Sequence, residues 1–367
     1  MTSFFSAERE QFRLRIRPFI EQTLRPLAGA WDEAREFPRS ILTTCAEHGL
    51  FQSDPWLNGI VAEELPRSES LGFALSFFVQ VNLVAPLLEE CGTPEQQAAY
   101  LPGLRAGKTI GAMAVTEPGA GSDFAALTCQ AEIAGDHLTL RGEKTYITNA
   151  TFADFLVVAV RIQQSDEPGL TLVLVPARQE GVRIERLRTL GLDCSGAGRI
   201  TFEDCRTGRN QIIGNVGDGF GQVQRALNRE RLFGGLACVA WAQYALEKAL
   251  EFSRQRKAFG NTLNRFQAVR HEFAELATEL EAARALNYAT LARWINGESV
   301  TREICMIKLF SYQAAQKVIT QCLQIHGGLG YLADHWASRF YRDARALTIA
   351  AGTPEIMKEM IASYLRV

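Results

Sequence analysis

Residues 114–123, AVTEPGAGSD, decide how the rest of this chain is interpreted. An apolar run leads into this stretch, and a Pro118-Gly119 turn is followed by Gly-Ala-Gly-Ser-Asp. Such a stretch offers free backbone N–H groups and two hydroxyls, Thr116 and Ser122, with little side-chain bulk around them. It suits a flat polar ligand or a phosphate. It lacks the third, helix-opening glycine of a dinucleotide-binding unit, so alone it indicates only a glycine-rich turn.

The composition excludes several classes of protein. A chain of 367 residues has room for two or three domains with a large core. The 39 basic residues nearly balance the 41 acidic ones, so we expect no nucleic acid and no anionic membrane as partner. The N-terminus has no apolar segment of signal-peptide length, and no window reaches 18 consecutive apolar residues. The sequence therefore predicts a cytoplasmic protein without a membrane partner.

The eight cysteines form no C-x-x-C pair and have no spacing suited to zinc. Most of them sit inside apolar runs, where reduced and buried cysteine is expected. We therefore predict no metal site.

Hydrophobic periodicity divides the chain into three segments. Residues 1–110 have helical spacing, with a break expected at Pro86 and a helix end at Pro102-Gly103. From 111 the period changes to two, with a hairpin turn at 134–137 and no helix between the strands. From 214 the pattern is helical again, with long helices over 219–258, 266–296 and 300–326, then 335–347, and a last helix capped by Thr353. The pattern predicts an α+β fold with an N-terminal helical domain (1–110), an antiparallel, barrel-like β domain (111–213) and a C-terminal four-helix-bundle domain (214–367).

An acidic residue interrupts an apolar face of the predicted helix 219–258. Glu230 shares that face with four other positions at helical spacing: Val223, Leu227, Gly234 and Cys238. A carboxylate there is costly unless paired, and burial should raise its pKa. Two interpretations follow: a buried structural ion pair, with Arg231 or another arginine, or a general base. Two mid-helix glycines, Gly234 and Gly235, cost roughly 1 kcal/mol each relative to Ala, so a group is expected to approach this face closely. A ligand beside a desolvated glutamate is a general-base arrangement.

Further motifs follow in order along the chain: KTYITNA (144–150), ERL (230–232), RKAFG (256–260), QIHGGLGY (324–331), YRDAR (341–345) and AGTPEI (351–356). Together with residues 114–123, they resemble the acyl-CoA dehydrogenase family of flavoproteins from about residue 10 to the C-terminus. The resemblance implies FAD as the cofactor, an acyl thioester as the substrate, an electron-transfer flavoprotein as an electron acceptor, and the α–β–α order of domains. In the same motifs, His326 is predicted to be a packing or capping residue, and 341–345 a structural charge cluster.

The resemblance also implies the catalytic base. Most family members carry this glutamate just before a Gly-Thr pair at the start of the last helix, where this chain has Ala351. The subgroup that resembles isovaleryl-CoA and long-chain acyl-CoA dehydrogenases carries it in an E-R-L sequence, where this chain has Glu230. By this resemblance Glu230 removes the α-proton, flavin N5 takes hydride from the β-carbon, and a trans-2-enoyl thioester results. The backbone N–H of Ala351 and the ribityl 2′-hydroxyl of the flavin would bind the thioester oxygen.

The cofactor contacts are carried over from the family by motif. The contacts around the flavin and pyrophosphate would come from Val115, Thr116, Gly121, Ser122, Tyr146 and Thr148. Tyr146 replaces a more usual Trp, which reduces the stacking surface; Tyr146 and Thr148 are alternatively ordinary strand residues. The adenine end of FAD bound to a neighbouring subunit would be reached by Arg256, Phe259, Gln267, Gln324 and Gly328, with Thr353 and Glu355 at the start of the last helix. Ser122 and Arg231 would touch the thioester arm of the substrate. Shared sites imply a homodimer or a homotetramer.

Three alternatives remain open from the sequence. Residues 50–61 are shorter than the family's usual loop at the substrate mouth, which fits an altered acyl pocket or an acyl group bound to a carrier protein. The first alternative is therefore a dehydrogenase of acyl- or peptidyl-carrier-protein thioesters in a biosynthetic pathway. The second is an acyl-CoA oxidase or a flavin monooxygenase, because the sequence does not distinguish O2 from an electron-transfer flavoprotein as the flavin oxidant. The third is a non-catalytic helical assembly protein. The length and branching of the acyl group also stay open.

Overall fold

The computed structural model describes residues 6–163 and 169–367, and its elements form a helical, a β and a second helical part. The first part contains the α-helices α1 (Ala7–Phe19), α2 (Ala28–Ala34), α3 (Ser40–Glu47), α4 (Pro55–Glu64), α5 (Leu71–Phe78), α6 (Ala85–Cys91) and α7 (Pro94–Arg105). Local signals set their starts. Thr93 caps α7 in a capping box with Gln96, and Asp54 caps α4 ahead of Pro55.

Helices α5 and α6 form one continuous helix, Leu71–Cys91, through a π-helical segment, Val79–Val84. The predicted break at Pro86 is wrong, because the wider π turn accommodates a residue that has no N–H to donate. The predicted end of α7 at Pro102-Gly103 is also wrong. The helix continues to Arg105, since a proline so near the end costs it only one internal hydrogen bond. By length and composition Leu71–Cys91 could cross a membrane, but 89% of its most apolar window is buried, as in a core helix.

The middle part is a mixed sheet. Its strands are β1 (Gly111–Ala114), β2 (Gln130–Ala134), β3 (His137–Ile147), β4 (Phe155–Ile162), β5 (Thr171–Pro176), β6 (Val182–Arg186), β7 (Gly198–Gly208) and β8 (Ile212–Ile213). The order is β6-β7-β3-β2-β4-β5-β8, and β1 pairs with β4. The predicted hairpin at 134–137 is confirmed by the pairing of Ala134 with His137. The antiparallel prediction needs one correction, because β4 pairs in parallel with both β1 and β2. Alternation of apolar residues reports which face is buried and carries no information on strand direction.

The last part contains α8 (Gly219–Gln255), α9 (Gln267–Ile295), α10 (Thr301–His326), α11 (Trp336–Leu347) and α12 (Pro354–Leu365). The predicted helix 219–258 ends three residues early, because a small hairpin of β9 (Lys257–Ala258) and β10 (Asn261–Thr262) follows it. Each of α8, α9 and α10 packs against the other two, and α8 and α10 run in the same direction. His326 packs at the end of α10, as predicted, with its ring stacked 4.4 Å from that of Phe252 near the end of α8.

The two helical parts share one apolar core. Phe73 and Phe77 of α5 belong to the same buried cluster as Leu232 and Phe233 of α8. Leu75 and Phe78 of α5 line one cavity together with Glu230 of α8.

Candidate active site

A cavity lies between the helix Leu71–Cys91, α8, α10 and the segment after α11. Helix α8 contributes Glu230, Gly234, Ala237, Cys238 and Trp241, and the helix Leu71–Cys91 contributes Leu71, Leu75, Phe78 and Asn82. The rest of the wall consists of Lys308, Tyr312, Leu347, Ala350 and Ala351. Both helices thus present one face to the cavity at i, i+4 and i+7 spacing.

Glu230 is the acidic residue of this cavity wall. Its carboxylate makes no hydrogen bond or ion pair with any other part of the described chain. Burial raises its pKa, and the positive charges of Lys308 and Arg231 partly counteract that rise. The structural ion pair with Arg231 is therefore not formed, and the carboxylate keeps its lone pairs free for a proton.

Protein groups make the close approach that was predicted at Gly234 and Gly235. A Cβ on Gly234 would lie 2.2 Å from the hydroxyl oxygen of Tyr312. A Cβ on Gly235 would lie 2.3 Å from Oδ1 of Asn287. The glycines let α9 and α10 pack against α8, and the phenol of Tyr312 enters the cavity wall through the space at Gly234.

Lys308 brings a buried positive charge to the same wall. Lys308 is 3% exposed, and its ammonium group donates to the carbonyl of Leu347 and lies 3.8 Å from the ring centroid of Tyr312. Burial lowers its pKa to about 8, although Glu230 and Cys238 oppose the shift. Sequence reasoning missed Lys308, because helical periodicity marks a position as buried without saying which helix it will face.

Arg231 fixes the backbone at Ala351. Its Nε donates to the carbonyl of Ala351 at 2.8 Å, and its Nη1 donates to Oδ1 of Asn228 at 3.0 Å. Ala351 has a φ of 56° and Gly352 a φ of 109°, two left-handed positions in succession. Within the described ranges the N–H of Ala351 donates to no acceptor. A free backbone donor therefore adjoins the same cavity as Glu230.

A buried ion pair, which sequence reasoning also missed, anchors the glycine-rich stretch. Lys144 donates to Oε1 of Glu117 at 2.8 Å and to the carbonyl of Val115 at 2.9 Å. Glu117 also accepts from the N–H groups of Thr128 and Cys129. Burial opposes ionisation of Glu117, but these hydrogen bonds hold its pKa below the usual value. Lys144 and Glu117 both lie in the motifs quoted above, and their opposite charges could have indicated this ion pair.

Tyr146 stands out from the sheet at a bulge. The register of β3 with β7 shifts between Lys144 and Ile147, and Tyr146 has a φ of 60° with 70% of its surface exposed. Thr145 donates its N–H to the carbonyl of Thr116 at 2.9 Å, so the end of β1 lies beside this bulge. The hydroxyls of Thr116, Ser122 and Thr148 engage no other group in the described residues. An exposed ring and three free hydroxyls thus surround the glycine-rich stretch.

A second group of predicted residues lies at the other end of α8. Arg256, Phe259, Gln267, Gln324 and Gly328 are all exposed there. Phe259 and Gly260 both have positive φ in the turn of the β9–β10 hairpin, and Phe259 is 95% exposed. The 25 residues of α8 between Glu230 and Gln255 span about 40 Å. Within one chain, this second group therefore lies far from the cavity. Thr353 caps α12, with Glu355 in its first turn, next to Ala351.

Comparison with known proteins gives a consistent result over the whole chain. The N-terminal, middle and C-terminal domain families of acyl-CoA dehydrogenase match residues 6–108, 112–205 and 217–365. A 3-(aryl)acrylate reductase of Clostridium sporogenes is 32% identical and covers 99% of both chains. The mitochondrial long-chain specific acyl-CoA dehydrogenase of Rattus norvegicus is 32% identical, over 98% of this chain and 87% of that protein.

Solved structures agree with this result. An acyl-CoA dehydrogenase from Geobacillus kaustophilus has a TM-score of 0.95 and 30% identity, and each chain is covered completely. A prolyl acyl carrier protein oxidase has a TM-score of 0.92 and 27% identity, over 99% of this chain and 100% of that one. The chain belongs to the acyl-CoA dehydrogenase family, whose members are FAD-dependent oxidoreductases.

The residues around the glycine-rich stretch fit this cofactor. A flavin presents a flat ring with polar edges, and this chain offers an exposed Tyr146 ring beside unengaged Thr116 and Thr148 hydroxyls. A Cβ placed on Gly121 would meet nothing closer than a methyl of Thr116 at 3.6 Å, so the space above this backbone is open.

Proposed function

We propose that Glu230 is the base that removes the α-proton of an acyl thioester bound in the cavity. The single observation that carries this assignment is a carboxylate with a raised pKa and no partner in a largely apolar wall. Such a group binds a proton more readily than an exposed glutamate, which suits abstraction from carbon. Bound FAD would supply the hydride acceptor for the β-carbon.

Ala351 is proposed to stabilise charge on the thioester oxygen. As the α-proton leaves, that oxygen gains negative charge and needs donors directed at it. The N–H of Ala351 is free and adjoins the cavity, and Arg231 holds the peptide in place. A backbone donor does not depend on the side chain, so alanine suffices at this position. By this geometry Arg231 positions Ala351, and a contact of Arg231 with the thioester arm remains a proposal from the sequence alone.

The cofactor contacts are proposed in two groups. Val115, Thr116, Gly121, Ser122, Tyr146 and Thr148 would hold the flavin and pyrophosphate of the chain's own FAD. Arg256, Phe259, Gln267, Gln324 and Gly328 would serve the FAD of a neighbouring subunit, with Thr353 and Glu355 completing the site near Ala351. The exposure of the second group and its distance from the cavity support a homodimer or homotetramer. A cytoplasmic location and an electron-transfer flavoprotein as the oxidant stay proposals from the sequence and its resemblance to the family.

A carrier-protein thioester is the alternative substrate. Residues 48–54 connect α3 to α4, and this is a short segment where the family usually has a longer loop. The similarity to a prolyl acyl carrier protein oxidase supports the same alternative. In both cases the thioester arm is a phosphopantetheine, and the same cavity would receive the acyl group.

Anaerobic bleaching of the flavin absorbance by a panel of acyl-CoAs tests this proposal. The wild type should bleach and Glu230→Gln should not, whereas Glu251→Gln, an exposed acid on the same helix, should behave as the wild type. Bleaching that survives in Glu230→Gln would overturn the assignment of the base. Bleaching by acyl groups on a carrier protein but by no acyl-CoA would select the alternative substrate.

A further inference from the structure

Two aromatic rings are stacked at the surface beside the glycine-rich stretch. Phe124 follows that stretch directly, and its ring lies 4.7 Å from the ring of Phe220, in the first turn of α8, at an angle of 28°. Phe220 is 41% exposed, and Phe124 is partly buried. Phe124 packs against the same buried cluster as Leu227 of α8, so one side of the stack is anchored while the other is open. Exposed apolar surface next to a proposed site is suited to a ligand contact.

The stack lies on the face of α8 that lines the cavity. Phe220 is seven positions before Leu227, and Leu227 is seven positions before Gly234 of the cavity wall. Residues at this spacing share one side of a helix, and Glu230 lies within the same span. The apolar face therefore continues from the cavity, past the proposed base, to the exposed ring of Phe220.

Exposure along this face shows which end of the cavity is open. Trp241 is 1% exposed and Cys238 is 2% exposed, so the end of the cavity towards Trp241 is closed. Glu230 and Leu227 are partly exposed, and Phe220 is exposed. An acyl group in the cavity therefore points towards Trp241, and its thioester arm leaves past Glu230 in the direction of Phe220.

The distance from the proposed base to the stack matches the length of this arm. Ten positions of α8 separate Phe220 from Glu230, which is about 15 Å along the helix. In a pantetheine thioester, the chain from the α-carbon to the carbon that bears both methyl groups has as many bonds as about four extended residues, so it spans about 14 Å. That carbon belongs to the pantoyl unit, the apolar part of an arm that otherwise carries amide and hydroxyl groups. With the α-carbon beside Glu230, the extended arm brings the pantoyl methyls to the level of the stack.

We propose that Phe124 and Phe220 form a binding subsite for the pantoyl unit of the substrate's phosphopantetheine arm. This inference rests on the proposed function of the cavity. Methyl groups placed on an aromatic ring remove apolar surface of both from water, and the exposed stack offers such surface. Ser122, two residues before Phe124, has a hydroxyl that engages no other group in the described ranges and is free to donate to an amide oxygen of the arm.

Thioesters of one acyl group on arms of different length test the inference. The N-acetylcysteamine thioester ends before the pantoyl unit, whereas the pantetheine, CoA and carrier-protein thioesters contain it. In Phe220→Ala, kcat/KM for the pantetheine thioester should fall roughly 5- to 30-fold, chiefly through KM, because part of an apolar contact is lost. The N-acetylcysteamine thioester should keep its wild-type kcat/KM. The same loss should appear with the CoA or the carrier-protein thioester, whichever of them the wild type turns over.

Phe124→Ala removes the other ring and gives a second, independent measurement of the same difference between the arms. Phe310→Ala is the matched control, because Phe310 is 40% exposed on α10 and should keep wild-type values on every arm. An equal loss on the N-acetylcysteamine and pantetheine thioesters, no loss in either variant, or a loss confined to the CoA thioester would overturn the inference. Failure of the proposed function is distinct, because then none of these thioesters would bleach the wild-type flavin.

Discussion

Arg231 donates from Nε to the carbonyl oxygen of Ala351 at 2.8 Å, across 120 residues of chain. This bond joins the residue that follows the proposed base to the residue whose free N–H adjoins the same cavity. The peptide at Ala351 is held in a left-handed conformation that few non-glycine residues adopt, and the guanidinium lies 3.2 Å from the Cβ position of Gly352. One side chain therefore ties the proposed oxyanion donor to the helix that carries the proposed base.

Replacing Arg231 by lysine should impair turnover more than substrate binding. A lysine ammonium lacks the planar fork that reaches both Ala351 and Asn228, so the Ala351 peptide loses its orientation. We expect kcat to fall about 10- to 100-fold with a smaller change in KM, as for misplaced catalytic groups. Steady-state kinetics measure this effect, and Arg225→Lys, an exposed position on the same helix, is the control. A variant with wild-type kcat would contradict the positioning role.

The sequence predicted the elements that depend on local signals. The α-helical and β segments follow from hydrophobic periodicity, and Thr93 and Thr353 cap their helices because their side chains accept from nearby N–H groups. Periodicity also placed Glu230 on an apolar face, and the E-R-L resemblance gave it a role. These inferences use residues within one or two helical turns of each other.

Features that depend on distant packing were missed. Tyr312 and Lys308 come from α10, more than 70 residues after Glu230, and nothing local indicates that they face it. The glycines at 234 and 235 were correctly interpreted as sites of close approach, but the approaching groups are Tyr312 and Asn287. Their identity requires knowledge of which helices are neighbours, and a single sequence does not contain it.

Replacing Lys308 by methionine should move the acid limb of the pH–rate profile to higher pH. The proposed base must be ionised to act, so activity rises as pH rises through the pKa of Glu230, which burial raises. Lys308 partly counteracts that rise, and its own pKa of about 8 keeps it charged across the acid limb. Removing its charge should therefore raise the pKa of Glu230 further.

The measurement for this prediction is kcat as a function of pH. Lys317→Met, on the exposed side of α10 and paired with Glu279, should leave the acid limb in place. An acid limb that stays unchanged or moves to lower pH in Lys308→Met would rule out the electrostatic coupling.

Gly234→Ala should destabilise the protein although alanine is the better helix former. Alanine gains roughly 1 kcal/mol in helix propensity, but its Cβ would lie 2.2 Å from the Tyr312 hydroxyl. Removing that hydroxyl leaves the ring carbon Cζ as the nearest atom at 3.3 Å, so Tyr312→Phe should restore most of the loss. A double-mutant cycle of melting temperatures measures the coupling, and Gly221→Ala, whose Cβ meets nothing closer than 3.5 Å, should be neutral or stabilising. Additive effects of the two substitutions would show that the contact between the alanine Cβ and the Tyr312 hydroxyl does not cause the loss of stability.

Asp343→Asn should stabilise the protein at alkaline pH and have little effect in acid. Asp343 lies in the YRDAR motif, is 1% exposed and accepts from the N–H of Leu192 at 2.6 Å, which links α11 to the β part. Burial raises its pKa to about 7, against the opposing charges of Arg339 and Arg342. The folded state therefore binds this proton more tightly than the unfolded chain, and the contribution of Asp343 to stability is lost as pH rises from about 4 to about 7. An asparagine keeps an oxygen acceptor for Leu192 and carries no charge.

The melting temperature of the variant should exceed that of the wild type at pH 8, and the difference should shrink towards pH 5. Asp334→Asn, at an exposed position just before α11, should show no such trend. A difference independent of pH would mean that Asp343 does not titrate in this range.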